Sequence, residues 1–444
     1  IGIIAAVVII LLGGAGYYQA TRFNPHVKIN NVKVGGMTTE QAMKKLKSMT
    51  LTNKVYVGNK VLVDGKDTKV RFTDGDMAKV KRVFKTQRTW IPSFKEKNYM
   101  VMPGRTDHYR NVTLKQEVSK KLEQQNQHLQ APKDAQAYLK DGKIGVSKSE
   151  NGNQYDISAM LKAYDTQKYN SEIHLRPVKL QPVRENSKIV KQEKQKLEEL
   201  SNKTVNYILQ EKKYPFKASE LIQNASVSKD MKLAIDPSGI QSRLDALNKE
   251  KSTLHKNFSF KTHAGSVISV KGQSYGWAID TKAEAKRIAD AFQNGKDTVK
   301  AYNIYGEGYS TIGVGYHVLA ENGIGDTYAE VSISDQRIWI YKDGKLKVTT
   351  RVVTGRHDTH EDTPKGVWYI EYKESPSVLE GSEAGNPNYS VKVKYWAPFT
   401  LGGVGFHDAS WRKNWAMDAY VHHGSGGCVN TPPSVMKTVY DNLE

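Results

Sequence analysis

The chain contains a single cysteine, Cys428, among its 444 residues. A lone thiol cannot form a disulfide within its own chain, which excludes a disulfide-stapled fold. Cys428 lies in the segment 425–430 (Ser-Gly-Gly-Cys-Val-Asn), where glycines let backbone amides approach a ligand closely. This setting favours a nucleophile. The alternative is that the free cysteine is a small, inert, buried side chain.

The length of the chain indicates several domains. A chain of 444 residues is too long for one hydrophobic core, so two to four domains are expected. A hydrophobic fraction of 38% and 24 tyrosines are typical of folded domains with polar surfaces.

The charge is strongly positive. There are 66 Lys and Arg against 46 Asp and Glu, a net charge of +20. This excess favours anionic surroundings such as nucleic acid, acidic polymers or membrane surfaces. Because the positive residues are spread along the chain, with no dense basic block and no zinc-finger spacing, nucleic acid is not the expected partner.

The first 21 residues carry no charge, and residues 1–18 are apolar throughout. Eighteen helical residues span roughly 27 Å, close to the hydrocarbon core of a bilayer. The sequence therefore predicts a transmembrane anchor over residues 1–21, with Tyr17 and Tyr18 at the interface and the rest outside the cell membrane. A cleaved signal peptide, with small residues near Ala15, is the alternative.

The middle of the chain contains a weak repeat. A strand, a turn and a helix-capping Asp occur twice with an offset of 124 residues, and the two caps are Asp156 and Asp280. Helices are expected over residues 157–164 and 281–292. We interpret this pattern as two α+β modules, residues 22–184 (with an N-terminal stalk) and 185–302; chance similarity is the alternative.

The last part of the chain has a β pattern. A glycine-rich linker is expected over residues 303–325, followed by a mostly-β domain over residues 326–444. Residues 338–348 predict a hairpin around Asp343-Gly344, and further strands are expected over residues 366–372 and 389–395. The predicted fold is multidomain: a transmembrane helix, two repeated α+β modules and a mostly-β C-terminal domain.

A catalytic cysteine needs a base nearby, because the thiolate is the nucleophile. His407 is the candidate base, and seventeen residues (408–424) separate it from Ser425. His407, this spacing and the segment 425–430 resemble the active-site signature of the YkuD-type L,D-transpeptidases. The similarity extends over residues 326–444 and includes the segments 353–355 (Val-Thr-Gly) and 363–366 (Thr-Pro-Lys-Gly). The upstream modules resemble the peptidoglycan-binding modules of Gram-positive members.

The resemblance implies a reaction. Cys428 would attack the carbonyl of the third residue of a tetrapeptide stem, releasing D-Ala, and an amine of a second stem would resolve the thioester to give a 3→3 cross-link. His407 would move the protons, Ser425 would orient His407 through its carbonyl, and the amides of Gly427 and Cys428 would stabilise the oxyanion. Carbapenems would acylate Cys428.

The resemblance also implies substrate contacts and partners. Gly426, Asn430, Trp396 and Tyr389 are the candidate substrate-binding residues, although aromatic residues in a small β domain are commonly core. The expected partners are stem peptides, carbapenem inhibitors, anionic wall polymers and the membrane. No cofactor or metal is expected. The implied location is the cell membrane, single-pass, with the catalytic domain facing a Gram-positive-type wall.

One position departs from the family pattern, because Gly426 stands where a histidine is usual. One interpretation is an active enzyme, with His422 or His423 as a substitute imidazole. The alternatives are a wall-binding or scaffolding protein with a degenerate catalytic domain, and an L,D-carboxypeptidase that uses water as the acceptor.

A second histidine-rich segment lies at residues 357–362. His357 and His360 have nearby acidic residues and raise the hypothesis of a metal site. The spacing is not that of a zinc-peptidase helix, so a polar loop at the edge of the site is the favoured interpretation.

Overall fold

The computed structural model describes residues 2–87, 93–320 and 322–444, without the side chains of residues 2–10. Its α-helices are α1 (Gly2–Thr21), α2 (Thr39–Lys47), α3 (Met77–Gln87), α4 (Leu114–Asn126), α5 (Ile157–Gln167), α6 (Lys188–Ser201), α7 (Ala218–Leu221), α8 (Ser238–Lys251), α9 (Thr281–Asn294), α10 (Ala419–His423) and α11 (Pro433–Asn442). A 3-10 turn (Asp74–Asp76) and a π-helical turn (Tyr109–Thr113) precede α3 and α4.

The strands before residue 320 are short. They are β1 (Val27–Ile29), β2 (Val32–Lys33), β3 (Thr50–Leu51), β4 (Lys54–Val57), β5 (Lys60–Asp64), β6 (Thr68–Lys69), β7 (Lys97–Tyr99), β8 (Ala137–Lys140), β9 (Lys143–Val146), β10 (Ile173–Leu175), β11 (Thr204–Leu209), β12 (Lys212–Lys217), β13 (Ala225–Val227), β14 (Leu233–Ile235), β15 (Asn257–Lys261), β16 (Val267–Lys271), β17 (Ala278–Ile279), β18 (Thr298–Lys300) and β19 (Ile304–Tyr305). Those after residue 320 are β20 (Tyr328–Ser332), β21 (Arg337–Lys342), β22 (Lys345–Arg351), β23 (Ser377–Glu383), β24 (Asn386–Val393), β25 (Trp396–Pro398), β26 (Gly405–Asp408) and β27 (Val429–Thr431).

The chain forms two compact units. The first consists of Ile1–Gln136 and Val146–Val190, and the second of Ala137–Gly145 and Lys191–Glu444. The first unit contains the sheets β2-β1-β7, β3-β6 and β10-β4-β5. One apolar cluster packs around α2, and another packs α4 and α5 against β4 and β10.

The second unit begins with small sheets and helices. Its sheets before residue 320 are β14-β13-β8-β9, β12-β11-β18, β15-β16 and β17-β19. Because β8 pairs with β13, residues assigned to the first predicted module contribute to a sheet with later strands. The boundaries of the two modules stay a prediction.

The helix starts in the repeat are as predicted. Asp156 Oδ1 accepts a hydrogen bond from Ala159 N (2.9 Å) and caps α5, and Asp280 Oδ1 accepts one from Ala283 N (3.0 Å) and caps α9. Each carboxylate satisfies an amide that has no partner inside its helix.

The C-terminal part contains the sheets β20-β21-β22 and β25-β26-β27 and the hairpin β23-β24. The Asp343-Gly344 turn joins β21 to β22 with φ of 50° and 70°, as the sequence predicts for a tight hairpin. Helix α11 packs Met436 and Val439 into an apolar core shared with Ile338 and Val429. The strand predicted over residues 366–372 does not form, and Val367 makes an isolated bridge to Gly272 instead.

The predicted transmembrane anchor needs correction. Within the described residues, no helix is long and apolar enough to cross a membrane. The first ten residues of the predicted span lie outside the described side chains. The lack of such a helix among the described residues contradicts the predicted transmembrane helix over residues 1–21 and the predicted single-pass location, and it gives no support to a membrane partner.

Candidate active site

The predicted base and nucleophile lie on or beside two paired strands. His407 lies on β26, whose residues are all buried, and β26 runs parallel to β27 with His407 opposite Asn430. Cys428 stands immediately before β27, two residues from Asn430. Since paired parallel strands lie about 4.8 Å apart, this register places the thiol turn beside the His407 strand.

The hydrogen bonds of His407 define its tautomer. Its Nδ1 donates to the carbonyl oxygen of Asp408 (2.9 Å), so Nδ1 carries the proton in the neutral ring and Nε2 is an acceptor. The amide of Asn430 satisfies both of its neighbours when Nδ2 donates to His407 Nε2 (3.0 Å) and Oδ1 accepts from Arg412 Nη2 (2.9 Å) and Nε (3.0 Å). Burial lowers the pKa of His407, which keeps the imidazole neutral and able to accept a proton.

Two tryptophan rings hold the imidazole of His407. Trp411 stacks on it with ring centroids 5.7 Å apart and planes at 23°, and Trp396 lies 6.0 Å away at 49°. Trp396 is a candidate substrate-binding residue in the sequence, but it is only 5% exposed and packs behind His407. Trp411 is the more exposed of the two rings, at 47%.

The thiol of Cys428 is protonated near neutral pH. Its Sγ donates to the carbonyl oxygen of Gly403 (3.6 Å). Burial raises the pKa of the Cys428 thiol to about 11; the Gly405 N–H opposes this rise and the charge of Glu383 adds to it. A raised pKa favours the protonated thiol at rest, and burial favours the neutral imidazole of His407.

Ser425 organises the turn that carries the thiol. Its Oγ donates to the carbonyl oxygen of Cys428 (2.5 Å) and accepts from the N–H of Gly427 (3.2 Å). The carbonyl of Ser425 accepts from Arg356 N (2.8 Å). The sequence predicted that this carbonyl orients His407, but the carbonyl that His407 contacts belongs to Asp408. The predicted oxyanion donor, Gly427 N–H, is directed into the turn by Ser425.

The hydroxyl of Thr363 also holds the backbone of this turn. Gly427 has φ of +120°, a conformation that glycine adopts without strain, and its carbonyl accepts from Thr363 Oγ1 (2.7 Å). The same hydroxyl oxygen accepts from Gly355 N (2.9 Å). A Cβ at Gly355 would stand 2.0 Å from the carbonyl oxygen of Glu361, so only glycine fits there. The segments 353–355 and 363–366 of the sequence therefore meet at the thiol turn.

The hairpin β23-β24 covers the position where the family has a histidine. A Cβ at Gly426 would lie 3.1 Å from Glu383 Cβ and 3.5 Å from Glu383 Oε2. The pKa of Tyr389, on β24, is raised chiefly by burial. Gly426 is exposed and half-buried Glu383 occupies the adjoining space.

Two other histidines of the region lie within hydrogen-bond distance of carboxylates. His422 Nδ1 lies 3.0 Å from Asp358 Oδ2, and His357 Nδ1 lies 3.0 Å from Asp362 Oδ1. Hydrogen bonds from Arg356 and then His422 hold the pKa of Asp358 at about 2. Among residues with described side chains, no group of three or more His, Cys, Asp or Glu is arranged to hold a metal ion.

Several residues of the site were not predicted from the sequence. Asp408 directly follows His407, and this adjacency is the one feature of the sequence that could have pointed to it. Arg412 and Gly403 lie near the motif without matching any pattern, and Glu383 is 45 residues from Cys428 (428 minus 383) with no signal at all. Only folding brings these groups to the thiol.

Two models of known protein families match parts of this chain. The family model of the YkuD L,D-transpeptidase catalytic domain matches residues 326–444, and that of a peptidoglycan binding domain matches residues 190–300. No curated protein matches the chain.

Solved structures also match. A mutant L,D-transpeptidase of Enterococcus faecium is 28% identical over 56% of this chain and 95% of that chain, with a TM-score of 0.45. The catalytic domain of the E. faecium L,D-transpeptidase is 42% identical over 27% of this chain and 91% of that chain, with a TM-score of 0.25. The same domain acylated by ertapenem is 41% identical over 27% of this chain and 92% of that chain, with a TM-score of 0.25. The chain belongs to the L,D-transpeptidase family, with a YkuD catalytic domain and a peptidoglycan binding domain upstream of it.

Proposed function

We propose that this chain forms 3→3 cross-links between peptidoglycan stems through a thioester on Cys428. The observation that carries the proposal is the pairing of β26 with β27, which sets Cys428 beside the strand of His407. Support comes from the Asp408 carbonyl, which holds the imidazole in the tautomer whose Nε2 accepts a proton.

In the acylation step, the Cys428 thiol leaves the Gly403 carbonyl, Asn430 Nδ2 releases Nε2 of His407, and this freed nitrogen takes the thiol proton. The sulfur attacks the carbonyl carbon of the third residue of a tetrapeptide stem. When the C–N bond to the terminal D-Ala breaks, the departing amine takes the proton from His407. The products are a thioester and free D-Ala.

In the second step, an amine of a neighbouring stem attacks the thioester. Its nitrogen gives a proton to His407 as the new amide bond forms, and the C–S bond breaks. The proton returns to Cys428, which restores the neutral pair. Peptide hydrolysis would follow the same route with water as the acceptor, and the mass of the product separates the two outcomes.

The β-lactam sensitivity of a relative supports the role of the thiol. The E. faecium catalytic domain, 41% identical, is acylated by ertapenem. We expect ertapenem to add to Cys428 by opening of its β-lactam ring.

A second candidate function is wall binding without cross-linking. It is favoured by the raised pKa of the Cys428 thiol and by Glu383 beside Gly426, in place of an imidazole. In this case the chain would bind sacculi and leave the muropeptides unchanged.

The test combines two measurements on the full chain. Intact mass after incubation with ertapenem should increase by one inhibitor molecule on the wild type and not on Cys428→Ala. Incubation with tetrapeptide muropeptides should then give a dimer that lacks one D-Ala. A wild type without an adduct, or an adduct that persists in Cys428→Ala, contradicts the proposed mechanism. The absence of both adduct and dimers, together with sacculus binding by both proteins, supports the second candidate.

A further inference from the structure

The carboxylate of Glu383 lies beside the turn that carries the nucleophile. Glu383 ends β23, and its Oε2 is 3.5 Å from the point that a Cβ at Gly426 would occupy, two residues before Cys428. Gly426 is exposed, and both Glu383 and Cys428 are half-buried. The acid that the hairpin β23-β24 brings to the thiol turn is therefore within reach of a molecule in solvent.

The position of Glu383 is fixed by the loop that precedes the hairpin. The next residue, Ala384, donates its N–H to Glu361 Oε1 (2.7 Å). The carbonyl of Glu361 packs against Gly355, whose N–H donates to Thr363 Oγ1 (2.9 Å) at the thiol turn. The same loop thus contacts the hairpin and the segments that hold the nucleophile, which keeps the carboxylate at a defined place beside the thiol.

The Glu383 carboxylate has no partner in direct contact among the residues that the structure describes. It acts on Cys428 and on Arg412 through its charge, without a hydrogen bond or an ion pair to either. The guanidinium of Arg412 is instead engaged by the carbonyl of His423 (2.6 Å) and by the amide oxygen of Asn430 (2.9 and 3.0 Å). The negative charge of Glu383 is thus available to a ligand.

A negative charge at this place has opposite effects on the two steps of the proposed reaction. It opposes acylation, because it disfavours the thiolate of Cys428. After acylation the sulfur belongs to an uncharged thioester, and the next group to arrive is an amine, which is an ammonium ion in water near neutral pH. Since a carboxylate attracts this ion, Glu383 hinders the first step and assists the second.

The same charge discriminates between amines. An amine whose neighbouring carbon carries a free carboxylate brings a negative charge close to Glu383 together with its positive one, so most of the attraction is cancelled. An amine beside an amide, or at the end of an alkyl chain, brings the positive charge alone. Water is uncharged and gains nothing. The site therefore favours cationic acceptors without an adjacent carboxylate over zwitterionic acceptors and over hydrolysis.

We infer that Glu383 binds the acceptor and selects amines that have no carboxylate on the adjacent carbon. The inference rests on the proposed transfer reaction and names the class of its second substrate. The acceptor binds as an ammonium ion, gives one proton to water and attacks the thioester carbon as the neutral amine. As the C–N bond forms and the C–S bond breaks, its nitrogen gives a second proton to His407, which returns it to the sulfur of Cys428.

The test compares glycinamide and glycine as acceptors, with the full chain as the enzyme and tetrapeptide muropeptides as the donor. The group beside the ammonium is an uncharged amide in glycinamide and a carboxylate in glycine. Mass spectrometry measures the initial rate at which each acceptor replaces D-Ala, and it measures the hydrolysed stems in the same samples. We expect the wild type to prefer glycinamide.

In Glu383→Gln the ratio of kcat/KM for glycinamide to kcat/KM for glycine should fall by about tenfold, mostly through a higher KM for glycinamide, because an attraction in the bound state is lost. The same variant should be acylated faster by ertapenem, a combination that a merely misfolded site would not give. Added salt should lower the wild-type ratio towards that of the variant, since partly exposed charges are screened. Glu383→Asp keeps the charge and should keep most of the ratio.

Glu380→Gln is the matched control, because it removes an exposed carboxylate of the same strand, which accepts from Ser390 Oγ (3.3 Å). It should keep the wild-type ratio. Three results overturn the inference: an unchanged ratio in Glu383→Gln, the same fall in Glu380→Gln, or a wild type that forms the ertapenem adduct but replaces D-Ala by neither amine. Failure of the proposed function is seen separately, because the wild type then forms no adduct.

Discussion

The hydroxyl of Thr363 offers the sharpest test of how the thiol turn is held. It donates to the carbonyl of Gly427 (2.7 Å) and accepts from the N–H of Gly355 (2.9 Å), and Thr363 is only 5% exposed. Thr363→Val keeps the branched shape but leaves both backbone groups buried and unpaired. At about 1–3 kcal/mol for each group, the free energy of unfolding should fall by about 2–6 kcal/mol.

Two assays measure this effect. Urea unfolding followed by tryptophan fluorescence gives the change in stability, and intact mass against time gives the rate of ertapenem acylation. Because the carbonyl of Gly427 directly precedes Cys428, we expect acylation of Thr363→Val to slow by about tenfold or more even in conditions where the variant is folded.

Matched variants separate the hydroxyl from its surroundings. Thr363→Ser keeps the oxygen and should restore most of the acylation rate. Thr349→Val removes an exposed hydroxyl of the same domain, which accepts from Arg337 Nη1 (3.1 Å), and should change stability by less than about 0.5 kcal/mol. The reasoning is refuted if Thr363→Val is as stable and as reactive as the wild type.

Two further predictions concern the charge at the thiol and the upstream domain. In Glu383→Gln the pKa of Cys428 should fall but stay above its ordinary value, since burial is the larger cause; the pH profile of ertapenem acylation should shift to lower pH, with about 2- to 10-fold faster reaction at pH 7, and an unchanged profile would contradict the role of this charge. Asp280→Ala removes the cap of α9 and should lower stability by about 0.5–2 kcal/mol in urea unfolding while the acylation rate stays at the wild-type value; a slower reaction would show that the cap affects the thiol.

Much of the local structure followed from the sequence. Thr38 Oγ1 accepts from Gln41 N (3.3 Å), and Gln41 Oε1 accepts from Thr38 N (3.0 Å), which forms a capping box at the start of α2 from residues three positions apart. The Asp343-Gly344 turn and the helix caps Asp156 and Asp280 were predicted from the sequence and are present in the structure. These features depend on residues within a few positions of each other, so a short segment of sequence is enough to predict them.

Other expectations failed because they concern the surroundings of a segment. The residues after Gly366 alternate like a strand, yet Val367 bridges to Gly272, and Trp368 and Glu371 line a cleft. Trp396 was assigned to the substrate groove, but the fold buries it behind His407. An apolar pattern does not reveal which neighbour covers it.

The sequence by itself determined the types and the spacing of Cys428 and His407, the two residues that we propose as the reactive pair. The tertiary structure decided how this pair is controlled: the carbonyl of Asp408 fixes the imidazole, Glu383 takes the space beside Gly426, and Thr363 holds a carbonyl 64 residues away. The physical reason is that a motif encodes which groups can react. Burial, hydrogen-bond partners and nearby charge set the pKa of the thiol and the base, and these arise only when distant segments pack together.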